Sequence, residues 1–593
     1  MPASRVYRAA TWREVVLYHA PGCARSMPGP LGLTRIRFRA GASPGAAPLQ
    51  IEPRGIVIVV GPNNSGKSLA LREVEAWCFA EDGPRKVIET LEVQFPATPE
   101  EAEALMRAYE SRPPPGQPAQ PNAFYVGYPT FRSNQPVFET WVSPQQVRDA
   151  VAQRNMNGLR NTLTRAYTAR LDGRTRFLLT DDKATGDLQR HPPHHLQALF
   201  VNRLARERVR ALTAEAFGSY FVIDPTAIQQ FRVRMSPRAP VSDEEEQSLS
   251  ETSRRFHSQA ETIDQLSDGV KAFVGLTSAV ISLPHRVILI DEPEAFLHPP
   301  LARTLGQNLA RIAAERGASL LVSTHSSQFL LGCVETGVPT DIVRLTYEGG
   351  VPTARHLEAT ALASIMLDPL MRSAGVLAAL FHRAAIVTEA DTDRSFYDEI
   401  NFRLQSTQRG VKDALFLNAN GKDSLHKIVG PLRRLGIPAA AIVDLDFIRS
   451  SPATWMSLLE ACRVDATERA ALDADRQTVA TAFSQLPRTA NQAEHIKRGG
   501  IPLLPEPART TALNLLTRLG QWGLFVAPNG EVESWLPQLG SGMHGPGWLV
   551  DIFTKMGRTP TDANYVHPIQ DDVWGFVDLV ANWIANPNRR GTS

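Results

Sequence analysis

A glycine-rich loop between a buried strand and a helix constrains this chain of 593 residues more than any other segment. Residues 56–60 form an unbroken apolar run, typical of a strand buried on both faces, and residues 69–79 have helical spacing. Between them, residues 61–68 (GPNNSGKS) satisfy the pattern GxxxxGK(S/T). Strand, loop and helix in this order predict a phosphate-binding loop, in which backbone amides and the helix N-terminus hold the phosphates of ATP.

The loop supplies most of the residues that we expect to contact ATP. Lys67 should reach the β- and γ-phosphates, and Ser68 should bind magnesium. The predicted set within the loop is Gly61, Asn63, Asn64, Ser65, Gly66, Lys67 and Ser68.

A second apolar strand, residues 287–290, ends in Asp291 and Glu292. The last residues of such a strand lie at the carboxyl edge of a parallel sheet, where ligands bind. We expect Asp291 to hold magnesium through water and Glu292 to polarise the water that attacks the γ-phosphate. An ordinary core strand is the alternative, which the order of the two motifs along the chain disfavours.

Two further motifs narrow the class of ATPase. Residues 266–270 (LSDGV) resemble the signature motif of ABC ATPases, with Asp268 where a second glycine is usual. Residues 323–325 (STH), at the end of another apolar strand, resemble the switch histidine of the same family. The resemblance covers roughly residues 30–347.

This resemblance has consequences for catalysis and assembly. It implies that Ser267 and Gly269 contact the γ-phosphate held by an opposite subunit, so that two copies of the chain form a homodimer. It also implies a catalytic role for His325 and makes Gln135 a candidate for the glutamine that senses magnesium.

Acidic residues follow two apolar strands in the second half of the chain. Glu389 ends one strand, with Asp393 four residues on, and Asp444 and Asp446 follow the other. Because side chains alternate along a strand, we expect Asp444 and Asp446 to share a face, and parallel neighbouring strands to bring Glu389 beside them. Carboxylates so placed repel each other unless cations separate them, which predicts Mg²⁺ or Mn²⁺. The alternative is a structural α/β domain in which these acids are exposed to solvent and bind no metal.

The acidic pattern resembles the Toprim domain shared by topoisomerases, primases and OLD (overcoming lysogenisation defect) nucleases, with Ala390 where a glycine is usual. Residues 291–299 (DEPEAFLHP) look like the matching segment of OLD and RecF-like ATPases and unlike that of a transporter. In the OLD family a further acid binds a second metal, which implies Glu531 or Glu533. A lysine there neutralises charge at the scissile phosphate, and Lys555 is the candidate.

Together these segments predict an α/β protein of two domains. Residues 1–360 should form an ABC-type P-loop ATPase domain with an inserted helical, basic lobe at about 96–215. Residues 361–593 should form a Toprim domain, Rossmann-like, with a C-terminal helical extension. Six arginines and one acid between residues 154 and 176 predict either a lobe that touches phosphate backbones or a solvated helix face.

Composition limits the remaining classes. Hydrophobic residues at 43% and charged residues at 21% are typical of a soluble globular protein, and a net charge of +2 requires any nucleic-acid surface to be local. Four cysteines far apart indicate a reducing compartment. With no secretory signal or membrane span in the sequence, we expect a cytoplasmic protein without a membrane partner.

The interpretation that follows is an ATP-regulated, Mg²⁺- or Mn²⁺-dependent endonuclease of the OLD type that cleaves double-stranded DNA. A role in defence against phage, with a second defence protein as a candidate partner, is implied by the family alone. One alternative is a Toprim ribonuclease acting, for example, on transfer RNA. Another is an ATP-switched DNA-binding sensor or scaffold with an inactive Toprim fold, which Ala390 favours.

Overall fold

The computed structural model describes residues 31–114, 116–132, 135–357, 362, 368–369, 371, 375–487 and 492–592. Its β-strands are β1 Gly32–Phe38, β2 Gln50–Ile51, β3 Ile56–Val60, β4 Ile88–Gln94, β5 Phe124–Arg132, β6 Gln135–Val142, β7 Thr168–Leu171, β8 Lys183–Ala184, β9 Tyr220–Asp224, β10 Gln230–Ser236, β11 Glu261–Thr262, β12 Val287–Asp291, β13 Ser319–Ser323, β14 Thr340–Glu348, β15 Val351–Leu357, β16 Ala384–Thr388, β17 Ala414–Asn418, β18 Ala439–Val443 and β19 Leu524–Val526. Its α-helices are Lys67–Cys78, Pro99–Arg107, Pro144–Ala152, Met156–Leu159, Arg165–Tyr167, Gly173–Leu178, His195–Val201, Arg203–Phe217, Asp243–Gln247, Glu251–Ser258, Asp268–Ser282, Pro299–Arg316, Ser327–Glu335, Asp391–Gln405, Leu425–Arg434, Pro452–Ala461, Ala466–Ser484, Gln492–Gly499, Ala508–Gln521, Gly545–Lys555 and Asp572–Ala585.

A six-stranded sheet forms the centre of the first half of the chain, in the order β15-β14-β3-β13-β12-β7. The strands from β14 to β7 run parallel, and β15 closes one edge antiparallel to β14. Because β3 and β12 flank β13, the phosphate loop after β3 and the acids after β12 meet at the same carboxyl edge. The predicted strand, loop and helix are confirmed, since the helix Lys67–Cys78 begins within the loop.

The predicted insert at 96–215 is wrong in its extent, because β7 lies within that range and pairs in parallel with β12 in the main sheet. Its apolar run is interrupted by Arg170, which conceals the strand in the sequence. The guanidinium group of Arg170 is held by Glu75 and Asp172, each at 2.7 Å. An ion pair from the first helix therefore makes this arginine compatible with a place in the core sheet.

Four of the six arginines around β7 are buried or half-buried and do not form the predicted phosphate-binding or solvated face, whereas Arg154 and Arg174 are exposed. Arg160 is buried and donates to the carbonyl of Trp77 at 2.7 Å. Arg165 lies over the ring of Phe138, 4.3 Å from its centroid, and Arg176 is fully buried. These three guanidinium groups stabilise the domain from inside.

A four-stranded parallel sheet, β17-β16-β18-β19, organises the second half of the chain. β16 and β18 are neighbours, so the residues that follow them lie side by side at the carboxyl edge. The helix Leu425–Arg434 connects β17 to β18, as the Toprim pattern predicts. The C-terminal helix Asp572–Ala585 buries large apolar side chains such as Trp574 against this unit.

The two halves share one continuous hydrophobic core, and Arg344 on β14 crosses between them. Its side chain is 4% exposed and donates to the carbonyls of Leu380 at 3.3 Å, His382 at 2.8 Å and Gly436 at 3.4 Å. The predicted boundary near residue 360 falls among residues outside the described part of the chain.

Within the described ranges, no helix combines the length and the apolar character that crossing a membrane requires. Cys78, Cys333 and Cys462 are buried free thiols, and burial raises the pKa of each.

Candidate ATP site and candidate metal centre

The phosphate loop has the backbone conformation that its glycines predict. Gly61 and Gly66 have φ angles of 142° and 97°, in the region that favours glycine. A Cβ atom at Gly61 would lie 2.0 Å from the carbonyl oxygen of Leu345, so β14 leaves no room for a side chain. Ser65 Oγ is buried with no hydrogen-bond partner among the described residues, which is what a site awaiting a phosphate oxygen requires. The exposed residues of the loop are Asn63 and Asn64.

Lys67 lies inside the curve of the loop. Its Nζ donates to the carbonyls of Gly61 at 2.9 Å and Pro62 at 2.7 Å. Burial lowers the pKa of Lys67 to about 8, because the ammonium group is removed from water. A phosphate group is the natural counter-ion for this cation, so the residue fits its predicted role.

Ser68 and Asp291 meet across the sheet edge, as the magnesium role predicts. Ser68 Oγ donates to Asp291 Oδ1 at 2.9 Å, and Ser323 Oγ donates to the same oxygen. A hydroxyl and a carboxylate that share one hydrogen bond beside the phosphate loop are the oxygen ligands that Mg²⁺ prefers.

Glu292 and His325 face each other beside this pair. Glu292 Oε1 lies 3.5 Å from His325 Nε2, and Glu292 has a φ angle of 50°, an uncommon conformation for glutamate. Glu294 Oε1 accepts the backbone N–H of His325 at 2.7 Å, and burial raises the pKa of Glu294. Burial, followed by the charge of Lys67, lowers the pKa of His325 and favours a neutral imidazole. This arrangement can orient a water molecule at the γ-phosphate position.

Arg176 stabilises the turn after β12 by hydrogen bonds to its carbonyl groups, a role that the sequence pattern did not reveal. Its Nη2 donates to the carbonyls of Asp291 at 3.0 Å and Glu292 at 2.6 Å, and its Nη1 to that of Ala295 at 3.3 Å. One fully buried guanidinium group thus fixes the backbone that carries Asp291 and Glu292, the two acids for which catalytic roles are predicted.

The structure of one chain does not test the roles that the ABC resemblance implies for Ser267, Gly269 and Gln135. Ser267 is the N-cap of the helix Asp268–Ser282, and a Cβ atom at Gly269 would lie 2.7 Å from the carbonyl oxygen of Phe296. The signature segment therefore packs against the turn that follows β12 in its own chain. Contact of Ser267 and Gly269 with the nucleotide of a second subunit stays a prediction. Gln135 begins β6, and its side chain lies outside the described part of the chain.

In the second half, Glu389, Asp393 and Asp444 converge at the carboxyl edge of the parallel sheet. Glu389 Oε1 accepts the backbone N–H of Asp444 at 3.1 Å, and Asp393 Oδ2 accepts that of Ala390 at 3.0 Å. Ala390 has a φ angle of −128°, an extended conformation that any residue adopts. Alanine in place of glycine therefore does not distort this loop.

Asp446 joins the cluster by a different route from the one expected. β18 ends at Val443, and residues Leu445–Arg449 form a 3₁₀-helix, so strand alternation does not place Asp446. Its Oδ2 accepts a hydrogen bond from Lys422 Nζ at 2.8 Å, while its Oδ1 is buried with no partner among the described residues.

Glu531 and Glu533 approach the same edge from the segment after β19. Together with His544 they offer oxygen and nitrogen atoms that all lie within 4.8 Å of one another. Glu531 is 6% exposed, and its Oε1 has no hydrogen-bond partner in the described chain. Lys497 Nζ lies 3.5 Å from Glu531 Oε2.

The pKa values of these acids indicate one shared electrostatic field. Burial, followed by the charge of Asp446, raises the pKa of Glu389 to about 7. Burial raises the pKa of Asp393 to about 6, with Glu533 and Glu531 adding to the shift. The pKa of Asp444 is raised well above its usual range by burial and by Glu389. A divalent cation relieves this repulsion, and the unpaired oxygens of Asp446 and Glu531 fit such an ion.

Lys555 is not brought to the carboxylates. Its Nζ donates to Asp551 Oδ2 at 2.7 Å and to the carbonyl of Gly540. The lysines that contact the cluster are Lys422 and Lys497, and the sequence reasoning missed both. Lys422 follows β17 at the same sheet edge as the acids, which is the signal that would have found it.

Comparisons with known proteins bear on both sites. The family model described as "AAA domain, putative AbiEii toxin, Type IV TA system" matches residues 177–331. The model described as "Overcoming lysogenization defect protein-like, TOPRIM domain" matches residues 380–446, the segment that holds Glu389, Asp444 and Asp446. The Old nuclease of Escherichia phage P2 is 21% identical over 213 residues, 35% of this chain and 36% of that protein.

The chain therefore combines a segment similar to an AAA-type ATPase domain with a segment similar to the Toprim domain of the OLD family. It spans about a third of the length of the phage P2 relative. The phosphonates import ATP-binding protein PhnC 2 of Albidiferax ferrireducens is 38% identical over 69 residues, 12% of this chain and 24% of that protein. The predicted resemblance to the OLD family and the predicted α/β fold class are confirmed.

Among solved structures, matches include the Smc head bound to the C-winged helix domain of ScpA, at 11% identity and a TM-score of 0.32, covering 56% of this chain and 99% of that one. The SMC head domain from Thermotoga maritima matches at 14% identity and a TM-score of 0.28, covering 55% and 99%.

Proposed function

We propose that this protein is an ATP-regulated endonuclease that cleaves DNA with the help of Mg²⁺ or Mn²⁺. The observation that carries the proposal is the convergence of acids from three segments at one sheet edge. Two of these acids, Asp446 and Glu531, have a buried oxygen without a hydrogen-bond partner among the described residues. Such a set is unstable without cations, and a pair of divalent ions is the usual means of hydrolysing a phosphodiester. The phage P2 relative is named a nuclease, which supports the same class of reaction.

The chain's residues divide into two groups around the scissile phosphate. The acids that would hold the metal ions are Glu389, Asp393, Asp444, Asp446, Glu531 and Glu533. Bound ions would supply an activated water on one side of the phosphate and charge stabilisation on the other. Lys422 and Lys497, which already pair with members of the cluster, place positive charge where the non-bridging oxygens of the substrate would lie.

The ATPase half acts as the regulator in this proposal. Lys67, Ser68 and Asp291 bind the nucleotide and its magnesium, while Glu292 and His325 hold the water for γ-phosphate hydrolysis. We further propose a cytoplasmic homodimer with composite ATP sites, in which Ser267 completes the site of the partner. Defence against phage remains a role suggested by the family.

One cleavage assay tests the central claim. Purified wild type, Asp444→Asn and Lys67→Ala are incubated with supercoiled plasmid, single-stranded DNA or transfer RNA, with Mg²⁺ or Mn²⁺, and with or without ATP. We expect Asp444→Asn to abolish cleavage and Lys67→Ala to change only its dependence on ATP. Asp391→Asn is the matched control, because Asp391 lies on the same helix as Asp393 but is exposed and pairs with Arg394.

The outcomes separate the three candidate functions. Undiminished cleavage by Asp444→Asn would place the chemistry elsewhere and refute the metal centre. Cleavage of transfer RNA without cleavage of DNA would assign a ribonuclease. Failure to cut any substrate with either metal would leave an ATP-switched sensor or scaffold.

A further inference from the structure

A basic cavity of about 250 Å³ lies between the ATPase and Toprim domains, and its lining includes none of the predicted ATP-site or metal-site residues. One wall is the β14–β15 hairpin, which contributes Arg344 and Arg355. A second wall comes from the Toprim domain through Arg383 and Gly436, and a third from the C-terminal segment through Arg589. We call this feature the interdomain arginine pocket.

Arg344 forms the floor of the pocket and is 4% exposed. Its hydrogen bonds go to the three carbonyl groups that link the domains, and burial lowers its pKa to about 10. Carbonyl groups satisfy the N–H donors of a guanidinium group but leave its charge only partly compensated. A buried cation in this position therefore favours an anion nearby.

Arg589 has an unused donor. Its Nη1 is bonded to the carbonyls of Ile584 and Asn586, each at 2.9 Å. Its Nε is buried with no hydrogen-bond partner in the described chain. Burial, followed by the charge of Arg433, holds the pKa of Arg589 below its usual range. An unsatisfied buried N–H on a charged group is costly, so it points to a ligand that accepts it.

The charges around the pocket are unbalanced. Apart from Arg355, three arginines among the described lining residues face a single carboxylate, that of Glu348. Glu348 lies 3.7 Å from Arg383, beyond hydrogen-bond distance, so the pair is loose. Such an excess of guanidinium groups matches a multiply charged anion, and the planar fork of arginine suits phosphate oxygens in particular.

We propose that the interdomain arginine pocket binds a small phosphate-bearing anion, such as inorganic phosphate or pyrophosphate, which stabilises the contact between the ATPase and Toprim domains. The cavity is smaller than the pockets of about 300–1,000 Å³ that hold drug-sized ligands, and a nucleic-acid duplex cannot enter it. Because the walls come from three parts of the chain, the bound anion cross-links them. This proposal does not depend on the nuclease activity.

Pyrophosphate binding to the full chain tests the proposal. Titration calorimetry and thermal unfolding are carried out in EDTA, so that the Toprim acids hold no metal and repel anions. All proteins carry Lys67→Ala, which weakens binding at the phosphate loop. We expect the Lys67→Ala protein to bind pyrophosphate and to unfold at a higher temperature when it does.

Three further substitutions in this background distinguish the pocket from other sites. Arg589→Gln and Arg383→Gln should each weaken pyrophosphate binding about tenfold, the effect of losing a charge-assisted hydrogen bond. Glu348→Gln should tighten binding, because it removes the carboxylate that repels the anion. Arg590→Gln is the matched control, since Arg590 lies over the Trp522 ring at 5.6 Å and does not line the pocket.

Two results would overturn the proposal. One is equal binding by all of these variants, or no binding by the Lys67→Ala protein at millimolar pyrophosphate. The other is binding of a short oligonucleotide, weakened by Arg589→Gln and Arg383→Gln, when pyrophosphate itself fails to bind, which would assign the arginines to a nucleic-acid surface. Because Glu348→Gln is expected to act in the opposite direction to the arginine variants, general loss of folding cannot mimic the predicted pattern.

Discussion

In the absence of metal, the carboxylate cluster should destabilise the folded protein at neutral and alkaline pH, and Glu389→Gln should relieve this. Glutamine keeps the carbonyl oxygen that accepts the backbone N–H of Asp444 but carries no charge. Removing a candidate metal ligand is thus expected to make the metal-free protein more stable. Few substitutions at an ordinary surface acid have this effect.

The magnitude follows from the pKa of Glu389, which is raised from 4.5 to about 7 by burial and by Asp446. Because the folded carboxyl group binds its proton more tightly than the unfolded one, its contribution to stability is fully present below pH 4.5 and is lost as pH rises through 7. Each tenfold difference in proton affinity corresponds to about 1.4 kcal/mol, so the loss at pH 8 is about 3 kcal/mol.

The assay is thermal unfolding followed by tryptophan fluorescence in EDTA between pH 5 and pH 8. Six of the nine tryptophans lie beyond residue 450, so the signal reports mainly on the Toprim domain. One of them, Trp535, donates to the Tyr397 hydroxyl at 2.9 Å beside the cluster. Wild type and Glu389→Gln should unfold alike at pH 5, and the variant should be more stable at pH 8. Mn²⁺ should reverse the order at pH 8, since it binds the wild-type carboxylates. Asp551→Asn, which removes a half-buried acid paired with Lys555 outside the cluster, should follow wild type throughout.

The reasoning is refuted if the difference between wild type and Glu389→Gln does not change with pH, or if Mn²⁺ stabilises both proteins equally. Either result would mean that the acids are solvated separately and do not share one metal-binding field.

Three further predictions concern residues that long-range contacts bring to the sites. Lys422→Ala and Lys497→Ala should each reduce cleavage about a hundredfold, as loss of a group that stabilises the transition-state charge does, whereas Lys555→Ala should stay within about twofold in the same plasmid assay. Gly530→Ala should abolish cleavage and lower the unfolding temperature. The φ angle of Gly530 is 115°, and a Cβ atom there would lie 1.6 Å from the carbonyl oxygen of Lys497. Gly542→Ala is the control, because a Cβ atom at Gly542 would meet open space. Arg176→Met should reduce the rate of ATP hydrolysis at least about tenfold while ATP still binds, since it frees the backbone that orients the catalytic acids; equal hydrolysis by variant and wild type would contradict this.

The ATP site was predictable because its parts are local in sequence. The phosphate loop follows from Gly61 to Ser68 alone, and the order of β3, β12 and β13 along the chain is enough to place Asp291 and His325 near it. Arg176 was not predictable, because its role depends on three carbonyl groups more than a hundred residues away. Nothing in its local sequence distinguishes it from the other arginines around β7.

The acids of the candidate metal centre could be predicted from the sequence, but the lysines that contact them could not. Strand ends identify Glu389 and Asp444, because parallel strands deliver their last residues to one edge. Lys555 was predicted from its position late in the sequence. Which lysines contact the acids depends instead on which loops approach the carboxyl edge of the sheet. Asp446 lies in the cluster as predicted, but not because side chains alternate along a strand. It lies in a 3₁₀-helix that follows the strand.

A continuous set of contacts joins the two candidate sites, and through it ATP binding would influence the proposed cleavage. Arg344 pairs in register with Val60, directly before the phosphate loop, and the carbonyl of the next residue, Leu345, is what excludes a side chain at Gly61. The Arg344 side chain holds the carbonyl of His382, two residues before β16, the strand that ends beside Glu389. Packed elements of this kind transmit small displacements because their side chains have few alternative arrangements. Movement of the phosphate loop on nucleotide binding would therefore act first on Arg344 and through it on the strand that carries Glu389, without separation of the domains.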